Sequence, residues 1–553
     1  MRKRIVTVFA LVLLLMGIAF MTLILTGSIE LANPSPNSAP EVIPSLREWQ
    51  GGFGSFTMGP GSHITVDSPY AAQLQETATV FQGDLFEVTG HLLPVVTKSI
   101  PATGDFFLTL LRNTDRGLGK EGYLFNVGNA VVISANTSTG VFYGTRSALQ
   151  ILVQDPAKAH MAKGRARDYP EYQERGFMLD VGRKFFPLSF LEDYVKFMAW
   201  YKMDDFQLHL NDNAIDAGKS PDWRHQYAAF RLNSNRFKGL AAKDGSYTEQ
   251  DIRQLQAVAK AYAVTITPEI DAPAHDLALT QYRPDLASPK YSKEMLDLDN
   301  PNTYIFMQAI WDEFLPWFDT SQVHIGADEY ALSGADHYRQ FINTLDAYLR
   351  KKGKTVSMWG SLTVMKSNIK IDTAITIDDW DNSWANPVDM VQQGFHIINA
   401  NGKLLYIVPK AGYFHDYLDT KLLYEQWEPN IFALANSRLN LLPNDPHLLG
   451  GMFAEWNDKL GSVVSDADVH ERVKPAMQTL SQKLWSGSTA GMTYDQFQQL
   501  AQEIGDAPGT HLPQTTLAGA FNHFAAVFSS YRLNPPEDVR QRYQYIHRGL
   551  SSS

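Results

Sequence analysis

Carboxylates and imidazoles recur in this sequence at the ends of short apolar runs. Asp180 and Arg183 close or follow residues 176–181, and His209 and Asp212 close or follow residues 206–210. Glu269, Asp271 and His275 end the run at 264–270, and the adjacent pair Asp328-Glu329 follows 323–326. Trp359 ends 355–359, Asp379-Trp380 follow 374–377, and Trp456 with Asp458 follows 451–455. Carboxylates beside imidazoles are the groups of proton transfer. His209, Asp212 and His275 can also be drawn as ligands of a metal-dependent hydrolase. A single acidic residue after a single run is usually a helix cap or a structural ion-pair partner, but recurrence after nearly every run is harder to assign to structure alone. The sequence has no cysteine, which excludes disulfides, thiolate nucleophiles and cysteine-ligated metals.

Those residues need elements to carry them. Between the apolar runs lie helix signals. Ser189-Phe190-Leu191-Glu192 has the form of a capping box, and Leu191, Tyr194, Val195 and Met198 follow at helical spacing. Thr248 to Asp251 opens a helix whose Ile252, Leu255, Ala259 and Tyr262 share a face, and Asn386-Pro387 opens another that Gly394 ends. The runs at 176–181, 206–210, 264–270, 323–326, 355–359, 374–377, 396–399 and 451–455 make eight strands with helical material between most of them. Strands alternating with helices imply a parallel sheet, and this number favours a closed (β/α)8 TIM barrel, an α/β fold whose active groups project from the C-terminal strand ends. Ahead of it, 106–110 and 131–135 read as strands and 148–152 as a helix, a small α+β unit carrying no recognisable chemistry. The expected boundaries are 1–27 for a membrane or signal segment, 28–44 for a linker with Pro34, Pro36, Pro40 and Pro44, 45–168 for the small unit, 169–508 for the barrel and 509–553 for a partly helical tail.

At the N-terminus, Arg2-Lys3-Arg4 precede an almost wholly apolar run at 5–25. A spanning helix needs about 20 apolar residues, whereas a secretory core is ~7–15 long. The run reads as a signal-anchor, with a long cleavable signal peptide as the alternative. Either places the catalytic part outside the cytoplasm, anchored by 5–25 or secreted. Of 553 residues, 44% are hydrophobic and 19% charged, the composition of a folded protein with more than one domain. The net charge of −11 argues against nucleic acid as partner, and a neutral sugar meets no such conflict.

The segment Val323-His324-Ile325-Gly326-Ala327-Asp328-Glu329 resembles the Asp-Glu signature of glycoside hydrolase family 20, the β-N-acetylhexosaminidases. Arg183 after Leu179-Asp180-Val181, Asp212 in His209-Leu210-Asn211-Asp212, and His275 ending Pro268-Glu269-Ile270-Asp271-Ala272-Pro273-Ala274-His275 resemble further family motifs in order. So do Tyr417-Leu418-Asp419 and the stretch 450–458. The likeness covers roughly 175–458, and the small unit resembles the domain that usually precedes this barrel. It implies a glycan substrate, no metal and no organic cofactor; it says nothing of oligomeric state.

The resemblance also implies roles. Most retaining glycosidases use two carboxylates about 5–5.5 Å apart. Adjacent residues on an extended strand end point to opposite sides, so Asp328 and Glu329 suit a different scheme, in which the 2-acetamido oxygen of the substrate attacks. Glu329 is then the general acid and later the base, and must hold its proton near neutral pH. Asp328 holds the acetamido N–H and stabilises the oxazolinium-like charge. Tyr417 binds the acetamido oxygen, and Trp359, Trp380 and Trp456 wall its methyl group. His275 with Asp212 positions Glu329. Arg183 and Asp458 bind ring hydroxyls, and Asp419 the same ring or its leaving group.

Four departures from the family pattern matter. Ala327 stands where a second Gly is usual and is expected to tighten the turn without moving the acid. Lys184 replaces a common His, and Asn211-Asp212-Asn213 keeps one of a usual Asp pair. Asp458 stands where many members carry Glu, a pattern more like the dispersin and lacto-N-biosidase branch. Release of a disaccharide is therefore an alternative to release of one N-acetylhexosamine. A catalytically inactive surface lectin is another, against which the intact Asp328-Glu329 pair argues.

Overall fold

A computed structural model describes residues 35–215, 222–459, 464–487 and 491–513. The expected membrane or signal segment, the first part of the linker and nearly all of the C-terminal tail lie outside them. Among the described residues no helix is long and apolar enough to cross a membrane.

The small unit is a seven-stranded mixed sheet: β1 (Glu48–Thr57), β2 (Ile64–Val66), β3 (Val95–Thr97), β4 (Phe106–Leu110), β5 (Tyr123–Val127), β6 (Val131–Ala135) and β7 (His160–Asp168), in the order β1-β7-β5-β6-β4-β2-β3. Helices Ala71–Thr89 and Ser138–Gln154 pack on it. The second is buried almost all round from Gly140 to Leu152, because its far side lies against the barrel. There the Tyr143 hydroxyl donates to the Ala263 carbonyl and Gln150 Nε2 to the Trp200 carbonyl. Buried charges reinforce the junction. Lys202 Nζ lies 3.0 Å from Asp168, which also accepts from Tyr123 and from the Trp485 indole. Arg175 pairs with Glu121 at 2.7 Å and Asp204 at 2.9 Å.

The second sheet is the expected barrel. Its parallel strands are β8 (Glu174–Asp180), β9 (Asp205–His209), β12 (Thr265–Glu269), β13 (Gln322–His324), β14 (Thr355–Trp359), β15 (Thr376–Asp379), β16 (Ile397–Asn399) and β18 (Leu448–Glu455), closed by pairing of β16 with β18. A two-stranded ribbon, β10 (Asn211–Asn213) with β11 (Ala228–Phe230), rises after β9, and a two-residue strand, β17 (Tyr406–Ile407), lies beside the end of β18. Outward residues are apolar: Phe177, Phe206 and Phe453 on neighbouring strands stack with centroids 4.7–5.6 Å apart, against the helix Leu188–Trp200. Inward residues alternate with them and are unusually polar, including Asp205, Gln207, His209, Thr267, Glu269, His324, Ser357 and Asp378, all buried. Some of them pair across strands, as Thr267 with Asp205 and Gln207 with Glu269 do.

The Thr248–Asp251 capping box forms, and Asn386 caps a helix at Pro387–Gln392 with Gly394 at φ 94° beyond it. The box expected at Ser189 does not form. That helix starts at Leu188 with Pro187 as N-cap and no side-chain cap, because the proline fixes φ near −59° one turn position earlier. The strand expected at 323–326 stops at His324, because Gly326 and Ala327 leave the extended region.

Candidate active site

Arg183 anchors one side of the barrel mouth. Its backbone N–H donates to Asp180 Oδ1, and one guanidinium nitrogen lies 3.1 Å from Asp180, 2.9 Å from Asp212 and 3.4 Å from Asp458. Three carboxylates thus share one buried cation, which lies over the Trp456 ring. Asp458 also accepts from the Tyr413 hydroxyl at 2.5 Å. Lys184 turns away to pair with Asp466 at the start of another helix.

The turn carrying Asp328 and Glu329 is tightly specified. Gly326 has φ 67°, and a Cβ there would lie 1.7 Å from Asp271 Oδ1. That oxygen accepts from the Ala327 N–H, while the Tyr338 hydroxyl donates to the Ala327 carbonyl. Ala327 at φ 73° and Glu329 at φ 48° occupy the left-handed region without being glycine, a strain of roughly 1–2 kcal/mol each that the surrounding bonds must offset. Ala327 thus holds a left-handed backbone that a glycine would adopt without a Cβ penalty.

This backbone corrects the expectation that the two carboxylates point apart. Both approach one imidazole: His275 Nε2 lies 3.4 Å from Glu329 and 3.7 Å from Asp328, and its Nδ1 lies 3.2 Å from Asp212. Asp212 in turn meets His209 Nε2 at 2.7 Å. Burial works against charge on His275, but Asp212 and Asp328 outweigh it and raise its pKa well above the usual imidazole value. Burial would likewise raise Asp212, yet Arg183 and His275 hold it below the usual carboxylate range. Asp328 is raised, by burial first, with His275 opposing. The side chain of Glu329 is 45% exposed and that of Asp328 16%. Asp328 Oδ1 is buried without a hydrogen-bond partner, an acceptor held ready for a donor that reaches the mouth.

Beside it lies an aromatic pocket. Trp359, Tyr406 and Trp456 are buried, with centroids 5.8 Å (Trp359–Trp456), 5.5 Å (Tyr406–Trp456) and 6.4 Å (Trp359–Tyr406) apart. Half-buried Trp380 packs against them, its indole donating to the Gly360 carbonyl at 3.0 Å. Burial, then Asp328 and Glu269, raise the Tyr406 phenol well above its usual pKa, so it stays a donor.

The structure brings together Arg183, Asp212, His275, Asp328, Glu329, Trp359, Trp380, Trp456 and Asp458. It places two expected residues in other surroundings. The Tyr417 ring stacks under the Arg472 guanidinium at 4.4 Å, and Asp419 caps the helix Thr420–Gln426 through the Leu422 N–H. The tyrosines in the cluster are Tyr406 and Tyr413. Sequence reasoning missed Tyr406; its signal was the apolar run Leu404-Leu405-Tyr406-Ile407-Val408, whose Tyr406-Ile407 form β17 and register Tyr406 against Ala454. Ligand-capable atoms of His209, Asp212 and Asp271, and of Asp271, His275 and Asp328, lie within 4.8 Å of one another. His209, however, faces Asp212 with one nitrogen and Glu269 with the other, at 2.7 and 3.0 Å, and its pKa is raised.

Comparison with known proteins bears on the family and the fold. The profile "Glycosyl hydrolase family 20, catalytic domain" matches residues 172–338 and 332–488, and "Glycosyl hydrolase family 20, domain 2" matches 39–169. The chain is 26% identical over 494 residues to a lacto-N-biosidase of Bifidobacterium bifidum, covering 84% of this chain but only 42% of that protein. It is 27% identical over 388 residues to β-hexosaminidase subunit A2 of Dictyostelium discoideum, covering 64% of this chain and 66% of that one. Among solved structures, a GH20 β-N-acetylhexosaminidase from Streptomyces coelicolor A3(2) superposes with a TM-score of 0.71 at 21% identity, covering 88% of this chain and 99% of that one. A Streptomyces plicatus β-hexosaminidase gives 0.70 at 21%, covering 88% and 98%. These structural likenesses bear on the fold.

Proposed function

This chain belongs to glycosyl hydrolase family 20, and on that footing we propose that it is a retaining glycosidase that removes terminal β-linked N-acetylhexosamine from glycans. The substrate's 2-acetamido oxygen attacks the anomeric carbon while the glycosidic C–O bond breaks and Glu329 gives its proton to the leaving oxygen. Water then attacks the same carbon, Glu329 takes its proton, and the acetamido oxygen departs, restoring the β configuration. Asp328 accepts from the acetamido N–H and faces the positive charge of the oxazolinium intermediate. Trp359, Trp380 and Trp456 enclose the methyl group, Tyr406 takes the role first assigned to Tyr417, and Arg183 and Asp458 bind ring hydroxyls.

The observation that carries this reading is the unpartnered Asp328 Oδ1 beside the aromatic pocket. A buried acceptor next to an apolar niche suits an acetamido group, whose N–H donates while the methyl on its carbonyl carbon fills the niche. The test is turnover of a chromogenic N-acetyl-β-glucosaminide by the fragment starting near Glu41. Turnover is expected, with Glu329→Gln and Asp328→Asn each severely impaired and the corresponding 2-hydroxyl glycoside left uncleaved. Equal cleavage of the two sugars would overturn the proposal.

A second reading, release of a disaccharide with N-acetylhexosamine at its reducing end, is favoured by Asp458. Its carboxylate is one methylene shorter than Glu and is drawn back by Arg183 and Tyr413, which leaves room beyond the ring's 4- and 6-hydroxyls. Product masses from mixed oligosaccharides separate the two. We further propose that residues 5–25 export the catalytic part and hold it at the membrane, or are cleaved to release it.

A further inference from the structure

Glu269, at the C-terminal end of β12, is fully buried, and contacts from two halves of the site end on one of its oxygens. The Trp359 indole donates to Oε1 at 2.7 Å, and His209 Nδ1 faces the same oxygen at 3.0 Å, with His324 Nδ1 at 3.4 Å. The other oxygen accepts from Gln207 at 2.8 Å. Trp359 is the floor of the aromatic pocket. His209 continues in the opposite direction, through Asp212 at 2.7 Å and His275 at 3.2 Å to Glu329 at 3.4 Å. Burial would raise the Glu269 pKa, but His209 first among its neighbours holds it below the carboxylate range, so an anion sits at this junction.

We propose that Glu269 is a positioning residue that couples occupation of the aromatic pocket to the aim of the proton donor, with His209 as the link. The proposal rests on the reading of that pocket as the acetamido site. The indole N–H holds one lone pair of that oxygen through a hydrogen bond, while the imidazole faces it as an ion-pair partner at 3.0 Å. Because Glu269 is fully buried, displacement of the indole by a bound methyl group moves or re-aims that oxygen, and the charged imidazole paired with it follows. His209, Asp212 and His275 pass the adjustment to Glu329. Glu269 touches neither the sugar nor the reacting atoms. It makes tight binding of the acetamido group and correct presentation of the acid one event, which would favour reaction of N-acetylated sugars over others that enter the mouth.

The test is a mutant cycle on the exported fragment, with kcat and KM measured on two N-acetyl-β-glucosaminides. One has a phenyl leaving group, which needs a proton, and the other a dinitrophenyl group, which does not. On the phenyl glycoside Trp359→Phe, which keeps an aromatic but smaller side chain and removes the N–H donor, and His209→Gln are each expected to lower kcat/KM by about ten-fold or more. The double variant is expected to fall short of the product of the two losses by about five-fold or more. On the dinitrophenyl glycoside the His209→Gln loss should shrink to about three-fold or less, which a general loosening of the fold would not produce. Losses that multiply fully, or that are equal for the two leaving groups, would overturn the coupling. Should His209→Gln fail to fold, Glu269→Gln carries the test: adding Trp359→Phe to it is expected to change the leaving-group dependence no further, and a further change refutes the link. A wild-type fragment inactive on both glycosides would remove the premise, and the coupling with it.

Discussion

Replacing Asp328 by Asn changes one oxygen for an NH2 group and removes a buried negative charge. The side chain is 16% exposed, and its Oδ1 has no hydrogen-bond partner among the described residues, so solvent screens its interaction with the intermediate only weakly. A unit charge about 3.5 Å from a full positive charge at an effective dielectric near 20 is worth roughly 4–5 kcal/mol. The oxazolinium spreads its charge over several atoms, which leaves roughly 2 kcal/mol. Weakening a charge-assisted hydrogen bond to the acetamido N–H adds roughly 2 kcal/mol. Together these predict a loss of about 4 kcal/mol in the transition state, about a thousand-fold in kcat, with a KM change of a few-fold because ground-state contacts mostly remain. Steady-state kinetics on an aryl N-acetyl-β-glucosaminide measures both. The alternative, in which Asp328 is itself the covalent nucleophile, predicts a different product. Azide added to Asp328→Asn would then enter from the opposite face and yield an α-glycosyl azide. Detection of that α-azide, or a loss below ten-fold, would refute the reasoning.

Tyr406→Phe should lower kcat by about ten-fold or more while Tyr417→Phe changes it less than about three-fold, since only the former hydroxyl lies in the aromatic cluster; the reverse ranking would restore the sequence-based assignment. Gly326→Ala should abolish turnover and lower the melting temperature, because its Cβ collides with Asp271, whereas Gly353→Ala, also left-handed at φ 79° but with nothing within 4 Å, should cost only about 1 kcal/mol in thermal or denaturant unfolding. His209 has its pKa raised by Glu269 and Asp212 against the effect of burial. Its contribution to stability is therefore full below the unfolded value of about 6.5 and is lost as pH rises through the higher folded value. Melting temperature should decline on the alkaline side, and less so in His209→Gln; an equal decline in both would argue against a charged His209.

The barrel was legible because its eight strands are short apolar runs ended by polar groups, and the order of those groups places Arg183, Asp212, His275 and Asp458 at one mouth. Local propensity does not encode the backbone at Ala327 and Glu329. Nothing in a non-glycine residue announces φ > 0, and it is Asp271 and Tyr338, 56 and 11 residues from Ala327 along the chain, together with the neighbouring Gly326, that enforce it. The same limit explains the exchange of Tyr417 for Tyr406. Three tyrosines within residues 406–417 look alike until β17 pairs with β18, and that pairing spans 48 residues, from Tyr406 to Ala454. The failed cap at Ser189 is a smaller case, in which proline geometry outweighed a good hydroxyl-carboxylate pattern.

The buried ammonium of Lys202 finds its counter-ion, Asp168, on the last strand of the small unit, while Arg175 reaches across to Glu121. Cutting the chain between the two units would strand a cation in the floor of the barrel and strip a helix that both halves cover. The units should therefore melt together as a single cooperative body. Damage to the seven-stranded sheet, remote from any sugar, would then register in a cell as fewer surviving molecules, each of full catalytic competence.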